Sequence, residues 1–325
     1  MNLLTRLYES QNITDLLDKL DVTSIIKLDS MWRSNNLILL FNTRYLNGHS
    51  KRYIFKSLSQ DEHIHEFQQL CLLAENYIDF VPKIHIQDNK AILMDYADGD
   101  NLFQIFKKIT NSELSKSIEF IGEKLADKYG SYLGEKQIIQ KNSQIRYTVD
   151  YYARDCLEKK LLKVNDFRRL EKNLGKWSNY MGNYIGQITH NDLNISNVLV
   201  TEEDLMTIDP EYDPLFTNDV AKDIGRYCAS LFFNTYDYYL QQPYFAYNLV
   251  LTFYAKFTQN FPIDFFFDKR VLFYIAQSAL SFSRFKTNGH LTPKEIFYTG
   301  YNLFAKNPDK ANLCNLYEEF CKSKK

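Results

Sequence analysis

The sequence has no excess of either charge sign. Its 325 residues include 39 Lys and Arg against 40 Asp and Glu, so the formal net charge at pH 7 is -1. Proteins that act mainly on nucleic acids or at anionic membranes carry a strong basic excess or patch. The charge balance gives no support to either function, and we expect no nucleic-acid partner.

Cysteine and long hydrophobic runs are also scarce. The chain has five cysteines, an odd number, and none forms a C-x-x-C pair or a zinc-type spacing. This pattern predicts a reducing compartment, and we expect a cytoplasmic protein. Glu9, Asp15 and Asp18 interrupt the apolar groups near the start, which argues against a signal peptide. No run approaches the roughly 18 apolar residues of a membrane span, so no membrane insertion is expected.

What the chain has instead is a change of pattern near residue 97. Hydrophobic residues make up 45% of the chain, which is enough for a sizeable core. After a predicted helix at 1–20, the first third alternates in the way of strands at 24–28, 36–46, 51–58, 82–87 and 91–96, with one helix at 61–77. Beyond Ala97–Asn101, helical periodicity dominates. We therefore predict two lobes, residues 1–96 and 97–325, with a cleft between them.

One stretch places polar side chains inside strand-like runs. "THNDLNISNVLV" (Thr189–Val200) is followed by "LMTIDPEY" (Leu205–Tyr212). Polar groups beside a buried sheet need partners, so the stretch is either a structural network or a site. A hairpin here brings Asn197 close to Asp209. Their hard oxygen atoms suit Mg²⁺, and Asp192 would stand nearby to accept a proton from a hydroxyl.

This arrangement matches the needs of phosphoryl transfer. In protein kinases the catalytic loop reads H-R-D-L-x-x-x-N, with Asp as the base and Asn on the metal. Here His190, Asp192, Leu193 and Asn197 hold the same offsets, and only the Arg position differs, being Asn191. A hairpin with capping polar residues is the structural alternative, but it leaves this joint spacing unexplained.

Together the two runs resemble the small-molecule kinases related to aminoglycoside phosphotransferases, choline and ethanolamine kinases and methylthioribose kinases. That group has H-[GN]-D-x-x-x-x-N followed by I-D-x-E, and "KDIGRY" (Lys222–Tyr227) is similar to its downstream D-I-G run. The resemblance implies an α+β, bilobal protein-kinase-like fold with a small antiparallel-sheet N-terminal lobe and a larger, mainly helical C-terminal lobe. It implies ATP and Mg²⁺ as cofactors.

The implied reaction is phosphorylation of a hydroxyl on a small polar molecule. An amino alcohol such as choline or ethanolamine, a sugar such as methylthioribose and an aminoglycoside-type antibiotic all stay open as acceptors. The oligomeric state is equally open. A catalytically silent kinase-like protein that binds a nucleotide or a partner is the main alternative, and a metal-dependent phosphoesterase is a third reading.

The resemblance also assigns residues of the first lobe. Lys56 in "YIFKSL" is similar to the lysine that pairs nucleotide phosphates, with Glu66 as its partner and Glu75 as the competitor. Kinases of this class often have a glycine in the first hairpin, over the phosphates, whereas "DSMWRSNNL" has none. Ser34, Asn35 and Asn36 would supply backbone and side-chain hydrogen-bond donors to the phosphates there instead. The adenine would meet backbone groups around a short segment, namely Met94, Asp95 and Tyr96.

Several polar residues keep two interpretations. His190 is expected to brace the catalytic loop rather than to act as the base. Glu211 and Asp213 would bind a cationic substrate or a second metal, or they are solvated turn acids. Asp223 would cap a helix or hydrogen-bond the catalytic loop, with substrate binding as the other option. The aromatic run "FFNTYDYYLQQPYFAYN" would form helical core or a cation–π cage.

Overall fold

A computed structural model describes most of the chain in separate ranges. The described residues are 21–28, 37–44, 49–57, 62–88, 91–135, 137–139, 151, 154–155, 157–158, 163–182, 184–211, 219–238, 242–283 and 290–324. The helix predicted at 1–20 and the glycine-free turn with Ser34 and Asn35 lie outside these ranges, as does Asp213.

The first part of the chain forms one antiparallel sheet with a helix. Its elements are β1 (Asp21–Leu28), β2 (Leu37–Arg44), β3 (Ser50–Ser57), α1 (Glu62–Asn76), β4 (Ile84–Asp88) and β5 (Ala91–Asp95). The strand order is β1-β2-β3-β5-β4, with antiparallel pairing throughout. The two hairpins predicted from the sequence, β2–β3 and β4–β5, are therefore confirmed.

Alternation along β2 and β3 decides which side chains enter the core. Leu39 and Phe41 of β2 and Tyr53 and Phe55 of β3 are buried, and the rings of Phe41 and Phe55 pack edge to face at 6.1 Å. Side chains of a strand point alternately to opposite faces. Lys56 follows Phe55 and so lies on the other face, where it is also buried.

The remainder is mainly helical. Its helices are α2 (Leu102–Phe106), α3 (Asn111–Gly130), α4 (Val164–Trp177), α5 (Val220–Tyr238), α6 (Pro243–Asn260), α7 (Phe267–Phe282), α8 (Pro293–Ala305) and α9 (Cys314–Ser323). Two short hairpin sheets interrupt them, β6 (Gln137–Ile139) with β7 (Tyr184–Gly186) and β8 (Val198–Val200) with β9 (Leu205–Thr207). None of the helices in the described ranges combines the length and hydropathy that a membrane crossing requires.

Helix α5 runs through the centre of this helical part and carries residues of the site at its start. It packs on α6 and α7, and most of its side chains are buried. At Gly225 a Cβ atom would lie 2.6 Å from the Tyr274 Cβ and 2.7 Å from the Val271 carbonyl oxygen of α7. The glycine therefore permits the close approach of the two helices. Just before α5, buried Asp219 pairs with buried Arg270 of α7 at 2.9 Å.

The β8–β9 hairpin is attached to the first lobe and to the segment between the lobes. Thr207 donates both its N–H (2.8 Å) and its hydroxyl (2.9 Å) to the Phe80 carbonyl. Asp100 and Val200 exchange backbone hydrogen bonds at 3.0 and 2.9 Å. The architecture is an α+β bilobal kinase-like fold, which confirms the fold class predicted from the sequence.

Candidate active site

The segment between β7 and β8 forms a loop with alternating burial. Leu193, Ile195 and Val198 are fully buried, whereas Asp192 and Asn194, on either side of Leu193, are partly exposed. The apolar side chains anchor the loop in the hydrophobic core, which leaves Asp192 and Asn194 partly exposed. Asn191 has φ +67°, a left-handed conformation that Asn tolerates better than most residues.

The Asp223 side chain binds the backbone at the start of this loop. Its carboxylate accepts hydrogen bonds from the backbone N–H groups of His190 (2.6 Å) and Asn191 (2.8 Å) and from the Tyr129 hydroxyl (2.5 Å). The side chain is fully buried, and burial raises the pKa of Asp223 against the opposing effect of these donors and of His190. Of the two interpretations kept for Asp223, this geometry favours loop support over contact with a substrate.

His190 joins the loop to the end of β9. Its ring is buried, which lowers the pKa of His190 below its ordinary value and favours the neutral imidazole. Nε2 then donates to the Ile208 carbonyl (2.9 Å), and Nδ1 accepts from the Asp192 N–H at 3.3 Å. With both nitrogen atoms occupied, His190 is placed to brace the loop rather than to take a proton from a substrate.

Asp192 is held through both carboxylate oxygens. Oδ2 accepts from the side-chain amides of Asn197 (3.0 Å) and Asn194 (3.3 Å), while Oδ1 faces the guanidinium of Arg226 in an ion pair. The Asp192 side chain keeps 25% of its surface exposed. Its orientation is thus defined, and the side chain is partly exposed although the Oδ1 atom is buried.

Asn197 and Asp209 lie side by side, because the hairpin brings the ends of β8 and β9 together. The Ile208 N–H donates to the Asn197 carbonyl (2.9 Å), and Asn197 Nδ2 lies 3.5 Å from the Asp209 carbonyl oxygen. Since Nδ2 points to Asp192 and Asp209, the amide oxygen Oδ1 points away from these acceptors. Asp209 has φ +54°, and its side chain is half exposed. An amide oxygen and an exposed carboxylate are a donor set that fits Mg²⁺.

Lys56 reaches this pair from the sheet of the other lobe. Its Nζ lies 3.0 Å from Asp209 Oδ1, and the lysine side chain is 7% exposed. This contact joins β3 to β9 across the cleft. Glu66, the predicted partner of Lys56, lies in the first half of α1, but its side chain is outside the described residues. Glu75, the competitor, is exposed near the end of α1.

Two backbone N–H groups of the segment predicted to contact adenine already form hydrogen bonds within the protein. The N–H groups of Asp95 and Tyr96 donate to the carbonyls of Lys83 (2.9 Å) and Arg52 (3.0 Å). These two N–H groups are therefore not available to a nucleotide base, and contact here has to use other atoms of the segment. Met94 is buried, and the Tyr96 ring lies under the Arg52 guanidinium at 4.3 Å.

The Asp95 side chain has a structural environment of its own. It lies 2.8 Å from Lys51 Nζ and 2.5 Å from His85 Nε2. Desolvation raises the pKa of Asp95, but the hydrogen bonds from Lys51 and His85 outweigh it, and the pKa is held below its ordinary value. The carboxylate therefore links β3 to β4, and its side chain is engaged before any ligand binds.

Of the two turn acids, one can be located. The Glu211 N–H donates to the His190 carbonyl at 3.0 Å, so Glu211 borders the catalytic loop with an exposed side chain. The predicted aromatic run is core in its first half. Phe232 and Tyr236 are buried and pack on Phe320 of α9 with ring centroids 5.0 and 4.8 Å apart.

Sequence reasoning missed four residues that touch the loop. Lys222 donates to Asn191 Oδ1 (3.2 Å), and Gln69 of α1 donates to the Thr189 carbonyl. Asn194 and Arg226 both bind Asp192. A signal was present for two of them, since Lys222 and Arg226 stand four apart on α5 and flank Asp223, which places all three on one helix face. No pattern in the sequence indicates Gln69.

No protein-family model and no curated sequence matches the chain. Solved structures do match over nearly its whole length. A protein from Thermobifida fusca assigned to the fructosamine-3-kinases is 16% identical with a TM-score of 0.59, and the match covers 91% of this chain and 98% of that one. Plasmodium vivax ethanolamine kinase is 13% identical with a TM-score of 0.52, covering 94% and 82% of the two chains.

An amicoumacin kinase, solved with AMP-PNP and Ca²⁺, is 11% identical with a TM-score of 0.51 over 95% of this chain and 96% of the other. At these identities the similarity concerns the fold. The chain shares the fold of small-molecule kinases, and the resemblance predicted from its motifs is confirmed at that level.

Proposed function

We propose that this protein is an ATP- and Mg²⁺-dependent phosphotransferase that phosphorylates a hydroxyl of a small polar molecule. The observation that carries the proposal is the contact chain Asp192–Asn197–Asp209–Lys56. It joins a candidate base, two candidate metal ligands and a cation from the opposite lobe through contacts of 3.0 to 3.5 Å. Charge balance, with no excess of basic residues, fits a small-molecule acceptor.

Each side chain has a role that its surroundings support. Asp192, presented at the cleft by the amides of Asn194 and Asn197, would orient the acceptor hydroxyl and take its proton. Lys56 would contact nucleotide phosphates, and its buried position beside Asp209 aims the ammonium at that point of the cleft. Asn197 and Asp209 would hold Mg²⁺, which when bound offsets negative charge on the phosphates.

Most of the rate gain would come from positioning and electrostatics. The apolar anchors of the loop and the bonds from Asp223 and His190 keep Asp192 in place before a substrate arrives. Such preorganisation lowers the barrier because no reorganisation is needed at the moment of transfer. The residues thus provide what phosphoryl transfer requires, without covalent participation by the protein.

The direct test separates base from metal ligand. Asp192→Asn should lower turnover at least about 10²-fold, as expected for loss of a general base, while ATP binding survives. Asp209→Ala should instead abolish Mg²⁺-dependent ATP binding, measured by calorimetry. Asp127→Asn is the matched control, because Asp127 is exposed on α3, away from the loop. Full activity in Asp192→Asn would show that the base assignment is wrong.

A second candidate function is nucleotide or partner binding without catalysis. The ion pair between Asp192 and Arg226 favours it, since the guanidinium lies against Oδ1 of the candidate base and this oxygen is buried. Turnover of ATP with a panel of polar alcohols distinguishes the two functions. Transfer to any alcohol excludes the silent protein, whereas Mg²⁺-dependent ATP binding without transfer supports it.

The third candidate function, a metal-dependent phosphoesterase, requires a cluster of metal-ligating side chains. In the part of the chain that the structure describes, no group of three or more His, Cys, Asp or Glu side chains is placed to hold a metal ion. The described cysteines Cys71, Cys228, Cys314 and Cys321 are thiols rather than halves of disulfides. Reduced cysteines fit the reducing, cytoplasmic setting that we propose for the enzyme.

A further inference from the structure

The start of the catalytic loop is attached to the first lobe as well as to the helical lobe. One donor comes from the middle of α1, where Gln69 Nε2 binds the Thr189 carbonyl. The other comes from the residue after the end of α1, where the Tyr77 hydroxyl donates to the Ile188 carbonyl at 2.5 Å. Both donor side chains are buried, and Thr189 is fully buried as well. The first lobe thus holds the two residues that directly precede His190.

Hydrogen bonds hold residues 188–191 from two sides. The first two residues of this segment offer their carbonyls to the donors of the first lobe. The last two donate their N–H groups to Asp223 of α5. Buried backbone groups cost free energy when they lack a partner, so the segment has a defined position only when both lobes supply theirs. Asp192 follows this segment directly, and its position therefore depends on both attachments.

The Thr189 carbonyl depends on Gln69 for its link to the first lobe. Among the described residues, the other donor to this carbonyl is Asn191 Nδ2, which lies 3.4 Å away and belongs to the same loop. A contact within the loop cannot fix the loop relative to another lobe. The Gln69 amide is therefore the group that sets where Thr189 lies with respect to α1.

Helix α1 is itself fixed to the sheet that carries Lys56. Leu70 and Leu73 of α1 are buried in the same hydrophobic core as Ile92 of β5. Strand β5 pairs with β3, and in that pairing Ile92 lies opposite Lys56. Gln69 therefore links the sheet that holds the candidate phosphate contact to the loop that holds the candidate base.

We propose that Gln69 is a positioning residue for Asp192. It acts by fixing the Thr189 carbonyl, so the alignment of the candidate base depends on where α1 lies. This inference rests on the proposed function and extends it, because the first lobe then places the base as well as contacting the nucleotide phosphates. Lys56 and Asp209 pair with each other directly, so the nucleotide site keeps this contact when Gln69 is replaced.

The experiment removes the donor and keeps the length of the side chain. Gln69→Met deletes the amide that binds the Thr189 carbonyl, and Gln68→Met is the matched control, because Gln68 is the neighbouring glutamine of α1 and is exposed. The kcat and the KM for ATP are measured with Mg²⁺ and an accepted alcohol, and thermal melting confirms that each variant is folded. If Gln69→Met does not fold, Tyr77→Phe removes the second donor and is judged by the same measurements.

We expect Gln69→Met to lower kcat by about tenfold to 10²-fold with little change in the KM for ATP, since a shift of about 1 Å at a catalytic group has an effect of this size. The loss should shrink on an Asp192→Asn background, because a residue that acts through the base has no effect once the base is gone. A purely structural role would lower kcat by the same factor on both backgrounds. Amide hydrogen exchange at His190 and Asn191 should be faster in Gln69→Met than in Gln68→Met.

An unchanged kcat in Gln69→Met, or an equal loss with and without Asp192, overturns the inference. So does a fall in ATP affinity as large as the fall in kcat, because α1 would then act on the nucleotide rather than on the base. A wild-type protein that transfers phosphate to no alcohol is a different result. It shows the proposed function itself to be wrong and leaves Gln69 no base to position, even if faster exchange in Gln69→Met demonstrates the attachment of the loop.

Discussion

Replacement of Asp223 by Asn gives a strict test of how the catalytic loop is held. The carboxylate accepts two backbone N–H groups and one hydroxyl, and it is fully buried. Asn has nearly the same shape, but its Nδ2 is a donor. Whichever way the amide turns, at least one of the donors from His190, Asn191 and Tyr129 faces another donor and loses its partner.

The cost can be estimated from these contacts. A hydrogen bond to a charged group contributes about 1.5–3 kcal/mol, and an unsatisfied buried donor costs about 1–3 kcal/mol. We expect Asp223→Asn to lose about 4 kcal/mol of unfolding free energy. With an unfolding entropy of about 2.1 cal/mol/K per residue, this corresponds to a melting temperature about 6 °C lower.

The activity should fall more than the nucleotide affinity. A displacement of about 1 Å at a catalytic group can lower the rate about 10²-fold, and His190 and Asn191 directly precede Asp192. Lys56 and Asp209 pair directly with each other across the cleft, so ATP affinity should change only a few-fold. A discontinuous activity assay with any accepted alcohol measures turnover, and calorimetry with an ATP analogue measures nucleotide affinity.

Tyr129→Phe is the matched control, because it removes one donor and leaves both backbone hydrogen bonds to Asp223 intact. It should cost about 2 kcal/mol, the value of one bond to a charged acceptor, and lower turnover less than about tenfold. Equal effects of Tyr129→Phe and Asp223→Asn, or normal turnover in Asp223→Asn, would refute the idea that Asp223 holds the loop.

Two further predictions concern the frame around the site and the stability of a helix. Gly99→Ala places a Cβ atom 2.8 Å from the Val200 carbonyl oxygen, so it should lower the free energy of unfolding by about 1–3 kcal/mol and lower turnover. The control Gly175→Ala, whose Cβ atom has nothing within 4 Å, should raise the free energy of unfolding by about 0.4–1 kcal/mol. Urea unfolding measures both changes. Burial raises the pKa of Glu295, but Lys324 and the Thr292 cap of α8 outweigh it and hold the pKa below its ordinary value of 4.5. The stabilisation from this group is therefore present above pH 4.5 and lost as the pH falls through the lowered value, so wild type and Glu295→Gln should converge in stability between pH 7 and pH 3, and a constant difference would contradict this reasoning.

The catalytic loop shows which features a sequence can reveal. The offsets among His190, Asp192 and Asn197 predict a shared site because the contacts that matter there are local. Asn197 binds Asp192 five residues away, and the hairpin pairs Asn197 with residues only eleven and twelve positions further on. The two hairpins of the first lobe were predictable for the same reason, since alternation and a turn signal lie within one short stretch.

The first-lobe residues show the limit of that reasoning. The strand position of Lys56 was predictable, but its 3.0 Å contact with Asp209 joins residues 153 positions apart. The segment predicted to meet adenine was assigned from the resemblance, which does not indicate that the N–H groups of Asp95 and Tyr96 donate to the carbonyls of Lys83 and Arg52. Which backbone groups remain open depends on the pairing partner of each strand end.

Helix α5 shows, within one element, both what the sequence predicts and what only the tertiary structure decides. Its sequence by itself predicts a helix after the site motif, and the spacing of Lys222 and Arg226 is a signal that they share a face with Asp223. Only the tertiary structure decided that Asp223 holds the loop from below and that Arg226 binds the base. The physical reason is that periodicity defines a face of a helix, whereas the role of a charged side chain depends on which distant atoms the packing places opposite that face. Here the close approach at Gly225 and the Asp219–Arg270 pair set that position.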